Sequence, residues 1–236
     1  MTLDYVGVIV PCAGIGKRFG SAVPKQYAML GTEPILVHTL RTICSISNVD
    51  SVVLAIHESD VMANHIISSI KTNTQIHTVF GGGERWQSVK NALDHPSLNK
   101  CSVILVHDAV RPLATAELFQ KVIQQARQHG AAVPVVSLSD TIKEVGADGS
   151  VVQTLSRSSL RAAQTPQGFQ ADILRKAYLN VHPDATDDAQ VVEMAGYTVY
   201  CTDGETTNNK ITTPYDIAVA EKTLSISRST WKKPGI

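Results

Sequence analysis

The stretch that decides the fold is Val6–Gly20, which reads VGVIVPCAGIGKRFG. Val6–Val10 is a short β-branched run typical of a buried strand, and a glycine-rich segment follows it directly. Small residues in that segment let consecutive backbone N–H groups converge on phosphate oxygens. Lys17, Arg18 and Lys25 add mobile cations around it. We therefore predict a loop that binds a triphosphate.

Two well-known phosphate-binding motifs require a different spacing. A Walker loop needs glycine five positions before Gly16, where this chain has Pro11. It also needs serine or threonine after its lysine, where Arg18 stands. A dinucleotide-binding fingerprint needs glycine three positions after Gly16, but Phe19 occupies that position. The spacing excludes the first motif and disfavours the second.

Along the 236 residues, short β-branched runs alternate with longer segments of helical period. This alternation is typical of βαβ units around a mostly parallel sheet. We predict a Rossmann-like α/β fold with helices on both faces and ligands outside the carboxyl ends of the strands. The predicted strands are Val6–Val10, Ser51–Ile56, Ile76–Phe80, Val103–Val106, Ala131–Val136 and Tyr197–Cys201. The predicted helices are Pro34–Ser45, Asp60–Lys71, Glu84–Leu93, Ala116–His129 and one beginning near Pro214.

One stretch interrupts the alternation. Thr141–Val145 and Val151–Leu155 are short strand-like runs joined by a Gly-Ala-Asp-Gly turn, which predicts a hairpin. A two-stranded ribbon is only marginally stable alone in water, so it has to pack against something. We expect a single domain over 1–236, with a protruding β-arm over 139–158 that packs on another subunit.

Composition and charge restrict the class of partner. Hydrophobic residues make up 43% of the chain and charged residues 18%, which is enough apolar material for a sizeable core. Lys+Arg and Asp+Glu both number 21, so no overall field attracts a nucleic acid or an anionic membrane. The apolar runs are far shorter than the ~20 residues of a membrane span, and Met1–Asp4 lacks the basic residues of an export signal. The 4 cysteines are scattered without CxxC spacing, which favours free thiols in a reducing cytoplasm.

Asp108 is the carboxylate best placed to hold a metal ion. It follows the predicted strand Val103–Val106 and therefore lies at the carboxyl edge of the sheet, beside the expected nucleotide. Mg²⁺ prefers oxygen ligands and often uses one or two carboxylates together with phosphates. A helix cap or turn is the alternative role, and the neighbouring Arg111 and Pro112 favour the site. A metal-hydrolase pair with His107 is disfavoured, because no second histidine cluster has suitable spacing.

Several motifs occur in the order found in the sugar and polyol phosphate nucleotidylyltransferases. The loop PCAGIGKRFG and the following PKQY resemble the signature of that family. The further matching blocks are GGGERWQSV (81–89), VHDAVRP (106–112), DTIK (140–143), QTPQ (164–167), TDDA (186–189) and NNKIT (208–212). These blocks cover nearly the whole chain. The resemblance is strongest to members that act on 2-C-methyl-D-erythritol 4-phosphate.

The resemblance implies a reaction, a cofactor and an assembly. The cytidylyl group of CTP is expected to be joined to 2-C-methyl-D-erythritol 4-phosphate with release of pyrophosphate, in the non-mevalonate isoprenoid pathway. Mg²⁺ is the expected cofactor. A homodimer is expected, in which each arm helps to form the polyol site of the partner.

Two alternatives remain beside this reaction. A ribitol 5-phosphate cytidylyltransferase shares the nucleotide-binding blocks, although the ERWQSVKNAL segment and the QTPQ block favour the erythritol substrate. The other alternative is a catalytically silent nucleotide-binding module on the same scaffold. The joint presence of Arg18, Lys25, Asp108 and Lys210 disfavours it.

The resemblance also assigns roles to individual residues. The expected catalytic cations are Arg18, Lys25 and Lys210, and the expected metal ligand is Asp108. The expected nucleotide-binding residues are Cys12, Ala13, Gly14, Gly16, Lys17, Gly82, Gly83, Ser88 and Ala109. The expected polyol phosphate residues are Arg111, Thr141, Arg157 and Thr165. Arg157 is expected to act across the dimer interface, with Arg161 as the alternative.

Two positions depart from the family pattern. Cys12 stands where relatives usually carry alanine, and a small, buried packing role is expected for it. Gly83 stands where the family often has an acidic residue, so a contact from that side chain to the base is absent here. The backbone N–H and C=O groups of the glycine run are still expected to read the cytosine edge.

Overall fold

An eight-stranded mixed sheet forms the centre of the computed structural model, which describes residues 5–14 and 23–230. The strands of the protein are β1 (Val6–Pro11), β2 (Met29–Leu30), β3 (Glu33–Pro34), β4 (Val49–Ile56), β5 (Gln75–Phe80), β6 (Val103–Val106), β7 (Ala131–Ser137), β8 (Ile142–Val145), β9 (Val151–Leu155), β10 (Arg161–Ala163), β11 (Gln167–Gln170) and β12 (Tyr200–Asp203). The helices are α1 (Ile35–Cys44), α2 (Ala63–Ser69), α3 (Arg85–Leu93), α4 (Ala116–His129), α5 (Ala171–Ala177), α6 (Asp188–Met194) and α7 (Pro214–Thr230). Short 3-10 helices cover Lys25–Tyr27, Pro96–Leu98, Arg157–Ser159 and Tyr178–Asn180. No helix within this described part of the chain has the length and apolar character that a membrane crossing needs.

The sheet is mostly parallel, as predicted. Parallel ladders join β1 to both β4 and β6, β4 to β5, and β7 to β12. β11 lies antiparallel between β6 and β7, and β10 pairs antiparallel with the end of β7. Two small separate sheets are formed by β2 with β3 and by β8 with β9. The carboxyl ends of β1, β4, β5 and β6 therefore meet at one edge of the sheet.

Both faces of the sheet are buried, because its central strands carry apolar side chains at successive positions. Val8 and Val10 of β1 pack in the cluster that contains α1 and α4, whereas Ile9 between them packs on the other face with α3 and α5. The residues of β4 divide between the two clusters in the same way. This alternation is the normal geometry of a strand covered on both sides. It holds the ends of β1 and β4 within a close-packed core.

The sequence pattern misses several elements in the second half of the chain. β10, β11, α5 and α6 are not predicted, and β12 begins at Tyr200, later than expected. In β11 the large apolar side chain is Phe169, which is fully buried. Gly168 beside it is needed for close packing, since a Cβ there would lie 2.7 Å from the Val122 side chain. A four-residue strand with one large apolar side chain carries too little periodicity to be recognised.

β8 and β9 pair antiparallel and form the predicted hairpin. Ile142 lies opposite Leu155 at its base. Three valines further out are exposed: Val145 by 57%, Val151 by 59% and Val152 by 61%. An exposed apolar group on a thin ribbon is a feature of surfaces that contact another protein. The role of the arm in dimerisation stays a prediction.

Candidate active site

A cleft of about 890 Å³ opens at the carboxyl ends of β1, β4, β5 and β6. It lies at the edge where sheets of this type bind ligands, and its volume is in the ~300–1,000 Å³ range of small-molecule sites. The cleft is lined by the predicted residues Cys12, Ala13, Gly14, Lys25, Gly82, Gly83, Ser88, Asp108, Ala109 and Lys210. The structure thus brings together residues as far apart in the sequence as Cys12 and Lys210.

The start of the loop after β1 is anchored on both sides. The backbone N–H of Cys12 donates to the Ala55 carbonyl on β4 at 2.7 Å. The Gln26 side chain is buried and its Nε2 donates to the Cys12 carbonyl at 2.8 Å. Gln26 therefore has a structural role that the PKQY motif alone does not reveal. The predicted residues Gly16, Lys17 and Arg18 lie outside the described residues.

Cys12 is buried in the apolar cluster of α1 and α4. Burial, together with the negative charge of Asp60, raises the pKa of the Cys12 thiol to about 12. Because the thiolate is the nucleophilic form of cysteine, this thiol is unreactive at neutral pH. Cys12 thus has a buried packing environment, as expected for it.

The segment Gly81–Gly83 connects β5 to α3 and is fixed by two hydrogen bonds. The N–H of Gly81 donates to the Ile56 carbonyl at the end of β4 at 2.8 Å. The N–H of Gly82 donates to the Ser88 hydroxyl at 3.1 Å. Ser88 is buried on the first turns of α3, so it ties the glycine segment to that helix.

Close packing requires glycine at position 82 but not at position 83. A Cβ on Gly82 would lie 2.3 Å from the Cβ of Gln87, which is too close for two carbon atoms. The nearest atom to a Cβ on Gly83 is Gln87 Oε1 at 3.6 Å, an ordinary contact. The backbone of this segment can therefore keep its place against α3 only while residue 82 has no side chain.

Gly82→Ala is expected to lower kcat/KM for the expected nucleoside triphosphate by about 10- to 100-fold, because the segment has to move and a shift of about 1 Å can cost ~10²-fold in rate. Gly83→Ala is the matched control and is expected to keep wild-type kinetics. Steady-state kinetics at varied concentration of this nucleotide measures both. Equal values of kcat/KM for the two variants would show that the segment does not set the geometry of the nucleotide site.

Asp108 is the centre of charge in the cleft. Its Oδ2 lies 2.9 Å from Lys210 Nζ and 3.3 Å from Arg111 Nε. Its Oδ1 lies 3.7 Å from Arg85 Nε. Burial opposes ionisation of this carboxyl, but Lys210, Arg85 and Arg111 together outweigh burial and hold its pKa well below the usual range. Asp108 is therefore ionised at any physiological pH.

Arg85 also lines the cleft, and no sequence motif predicts a role for it. Its Nη2 lies 2.7 Å from Asp188 Oδ2, and Asp188 has no exposed surface. The Tyr178 hydroxyl donates to Asp188 Oδ1 at 2.6 Å. Burial disfavours the charged guanidinium, but Asp188 and Asp108 together raise the pKa of Arg85 above its ordinary value. Arg85 belongs to the GGGERWQSV block and Asp188 to the TDDA block, so both lie in motifs that the family resemblance singles out. The two blocks are far apart in the sequence, and neither motif indicates that these side chains meet.

A chain of buried hydrogen bonds fixes the backbone under Asp108. The Asp108 N–H donates to the Thr165 hydroxyl at 3.0 Å, and that oxygen lies 3.1 Å from His107 Nδ1. His107 Nε2 lies 3.2 Å from the Arg111 carbonyl. Burial lowers the pKa of His107 to about 4, so the ring is neutral at neutral pH. In this network Nε2 carries the proton and donates to Arg111, while Nδ1 accepts from Thr165.

The predicted polyol phosphate residues do not converge in one chain. Arg111 and Thr165 lie against Asp108, and neither is among the residues that line the cleft. Arg111 also donates from Nη1 to the Asn208 carbonyl at 2.7 Å. Thr141 and Arg157 are exposed on the arm and at its base, where Arg157 donates to the Ser139 carbonyl. A shared site would therefore need the arm of a second chain.

The donor set of the cleft fits a metal ion only together with a polyphosphate. Among the residues that the structure describes, no group of three or more His, Cys, Asp or Glu side chains is arranged to hold a metal. Asp108 supplies ionised carboxylate oxygen, and Mg²⁺ often takes one or two carboxylates and completes its shell with phosphates and water. Asp108 therefore fits Mg²⁺ held jointly with a bound triphosphate.

A cleft that brings lysines and glycine segments together beside the ionised Asp108 suits the transfer of a nucleotidyl group. The fold and the site together define a nucleotidyltransferase. A family model described as 2-C-methyl-D-erythritol 4-phosphate cytidylyltransferase matches residues 6–226. The chain belongs to this family.

Individual relatives agree with this membership. The chain is 40% identical over 225 residues to the 2-C-methyl-D-erythritol 4-phosphate cytidylyltransferase of Alkaliphilus metalliredigens, with 93% of each chain covered. It is 43% identical over 223 residues to the protein of the same name from Symbiobacterium thermophilum, covering 93% of this chain and 92% of the relative. The crystal structure of 4-diphosphocytidyl-2C-methyl-D-erythritol synthase from Anaerococcus prevotii aligns with a TM-score of 0.81 at 29% identity, covering 94% of this chain and 99% of that one. These names do not favour the ribitol alternative.

Proposed function

We propose that this chain transfers the cytidylyl group of CTP to 2-C-methyl-D-erythritol 4-phosphate. The products are 4-diphosphocytidyl-2-C-methyl-D-erythritol and pyrophosphate, and the step belongs to the non-mevalonate isoprenoid pathway. The observation that carries the proposal is the convergence of Lys25, Lys210 and Asp108 in one cleft with the glycine segments after β1 and β5. Family membership supports the choice of substrate.

The nucleophile is an oxygen of the polyol phosphate. The second pKa of a phosphate monoester is near ~6, so this oxygen is largely ionised at neutral pH and needs no general base. It attacks the α-phosphorus of CTP, and the bond from that phosphorus to the bridging oxygen breaks as pyrophosphate leaves. His107 takes no proton in this scheme, because it is buried, neutral and bonded to Thr165 and Arg111.

The barrier to this reaction is the repulsion between two polyanions. Lys25 and Lys210 line the cleft and offset negative charge on the phosphates, and preorganised charges of this kind stabilise the transition state. By family resemblance Arg18 acts with them at the α-phosphorus, and Lys17 supports them. The backbone of Cys12–Gly14, together with Gly16, Gly82, Gly83, Ser88 and Ala109, orients the nucleotide for in-line attack.

Asp108 is the residue proposed to hold Mg²⁺. This proposal is supported by the geometry of the ionised carboxylate. Its Oδ1 lies 3.7 Å from Arg85 Nε, which is a longer contact than the 2.9 Å between its Oδ2 and Lys210 Nζ. Asp108 would hold Mg²⁺ together with the phosphates of a bound nucleotide, and the ion would supply neutralisation of their negative charge. Arg85 and Lys210 keep Asp108 ionised and in place for this role.

The proposed function is tested by pyrophosphate release from CTP in the purified protein. Release is expected only when both Mg²⁺ and 2-C-methyl-D-erythritol 4-phosphate are present, and the nucleotide product is identified by mass spectrometry. Ribitol 5-phosphate in place of the erythritol substrate is the control and is expected to give little product. Binding of CTP without any release of pyrophosphate would instead support a silent nucleotide-binding module.

The arm is proposed to complete the polyol site of a partner chain in a homodimer. Val145, Val151 and Val152 are exposed on the ribbon, and a reciprocal exchange of arms would bury them in one closed, two-fold interface. Arg157 stands at the base of the arm, and its planar guanidinium suits phosphate oxygens. With Thr141 from the arm, it would join Arg111 and Thr165 of the other chain.

Co-expression of an Arg157→Ala chain with a Lys25→Ala chain is expected to restore activity that each variant lacks alone. With random pairing, half of the dimers are mixed and each mixed dimer has one intact composite site, so about one quarter of wild-type activity is expected. Differently tagged chains allow the mixed dimer to be purified and its pyrophosphate release measured. Mixed dimers no more active than the single variants, or a fully active wild-type monomer, would contradict the shared site.

The proposed compartment is the cytoplasm. All four cysteines are unpaired in the structure, and Cys12 and Cys101 are buried. Free thiols persist in a reducing compartment, whereas exported proteins tend to pair them. Fractionation of cells that express a tagged chain would test this location.

A further inference from the structure

Asn208 is buried without any exposed surface, two residues before the cleft lysine Lys210. From its contacts we infer that Asn208 is a positioning residue, which holds Lys210 and Arg111 in place for the transfer reaction. The inference rests on the proposed function. It distinguishes Asn208 from its neighbour Asn209, although both belong to the same NNKIT motif.

The first contact is to Arg111. The Asn208 carbonyl accepts a hydrogen bond from Arg111 Nη1 at 2.7 Å, while Arg111 Nε lies 3.3 Å from Asp108 Oδ2. The guanidinium is thus held between the backbone of residue 208 and the central carboxylate. A planar guanidinium held at two points has a fixed orientation. Displacement of the Asn208 backbone would therefore displace Arg111 relative to Asp108.

The second contact is made by the Asn208 side chain. Its Nδ2 donates to the Thr165 carbonyl at 2.9 Å, and the hydroxyl of Thr165 accepts from the Asp108 N–H. The side chain of Gln164 lies beside this bond, and its Nε2 donates to the carbonyls of Glu205 and Asn208 at 2.8 and 3.3 Å. Two buried amides thus fasten the segment that carries Lys210 to the segment that supports Asp108.

Lys210 itself lies between two anchors. Asn208 fastens the chain on one side, and Ile211 fastens it on the other by donating its N–H to the Val110 carbonyl at 2.9 Å. Ile211 is buried in an apolar cluster with Leu30 and Val110. The backbone of Lys210 is therefore fixed even though its side chain is 38% exposed in the cleft. This arrangement places Nζ 2.9 Å from Asp108 Oδ2.

Stability alone does not account for an asparagine at this position. Asn208 Oδ1 is buried and has no hydrogen-bond donor among the residues that the structure describes. An unsatisfied buried acceptor costs free energy, and such groups in native proteins call for an explanation. The Asn208 side chain donates from Nδ2 to Thr165, and its backbone carbonyl accepts from Arg111. These two contacts position residues of the cleft, which explains an asparagine at this position.

The test compares Asn208→Ala with Asn209→Ala. Asn209 is exposed, and its hydrogen bond from the backbone N–H to the Thr207 carbonyl does not need the side chain. Asn208→Ala is expected to lower kcat by about 10- to 100-fold, since a displacement of about 1 Å can cost ~10²-fold, while Asn209→Ala retains the wild-type kcat. Gln164→Ala is the second variant and is expected to change kcat in the same direction. Thermal unfolding of each variant confirms that the rates refer to folded protein.

A double variant separates positioning from a general structural role. If Asn208 acts through Lys210, Asn208→Ala is expected to have little further effect on kcat in a Lys210→Ala background. Effects of independent sites would multiply instead, and a full additional loss would overturn the inference. Equal kcat values for Asn208→Ala and Asn209→Ala in an active wild-type background would also overturn it, with the proposed function intact. A wild-type protein without pyrophosphate release would overturn the proposed function and this inference together.

Discussion

Lys210→Ala is expected to lower kcat by about 10²–10³-fold, the usual cost of losing one preorganised charge in an active site. The amine lies 2.9 Å from Asp108 Oδ2 and faces the cleft, so its charge acts on the reacting phosphates more than on the core. An interaction made mainly in the transition state lowers kcat and kcat/KM together. Steady-state kinetics with CTP and the polyol phosphate, each varied in turn, measures this pattern.

Lys222→Ala is the matched control for Lys210→Ala. Lys222 is an exposed lysine on α7 and is not among the residues that line the cleft. Its removal changes the net charge by the same amount, so it corrects for any long-range effect of charge. A Lys210→Ala enzyme with the turnover of the Lys222→Ala enzyme would remove Lys210 from the catalytic group.

Asp108→Asn is expected to lower kcat at a fixed Mg²⁺ concentration by about 10²–10³-fold and to raise the Mg²⁺ concentration needed for half-maximal rate. The amide preserves the shape of the carboxylate but removes the charge that faces Lys210, Arg85 and Arg111. The three cations then repel one another, while Asp188 still compensates the charge of Arg85. Mg²⁺ titration of the initial rate, together with direct Mn²⁺ binding in the presence of CTP, measures the effect.

Asp108→Asn should also change the response of stability to acid. The pKa of Asp108 is lowered from its ordinary value of 3.8, so this carboxyl contributes stability that is present above that pH and is lost as the pH falls below it. The wild type is therefore expected to lose its stability advantage over the variant below about pH 4. Asp184→Asn, at a side chain that is 87% exposed, is the control for the acid response.

For the Mg²⁺ titration, an unchanged Mg²⁺ dependence in Asp108→Asn would make Asp108 a structural residue.

The sequence predicts those parts of the site that follow directly from strand ends. A buried strand followed by glycines or by an aspartate identifies the sheet edge, and the cleft at the ends of β1, β5 and β6 contains Gly14, Gly82 and Asp108 as expected. Lys210 does not follow β1, β4, β5 or β6, so strand ends do not predict its position in the cleft. The family resemblance alone predicts it. The structure puts its amine against Asp108.

The parts that the sequence could not supply depend on distant contacts. Arg85 and Asp188 are separated by 103 positions, and nothing in either local pattern indicates that they meet. Asn208 and Asn209 are the same residue type, so the sequence does not show which of them contacts Thr165. The structure shows that Asn208 is the buried one and makes this contact. Short irregular segments carry no hydrophobic period, and the burial of each residue there is decided by tertiary packing.

The ordinary contact distance at Gly83 gives this segment one position where a side chain can begin without a change in backbone shape. A Cβ at residue 83 meets nothing nearer than Gln87 Oε1 at 3.6 Å, whereas a Cβ on the adjoining Gly82 would lie 2.3 Å from the same helix residue. The first carbon of a side chain can therefore be added at residue 83 while the backbone stays where it is. For protein engineering, residue 83 is accordingly the position in this segment that accepts a new side chain, and residue 82 is the one to leave untouched.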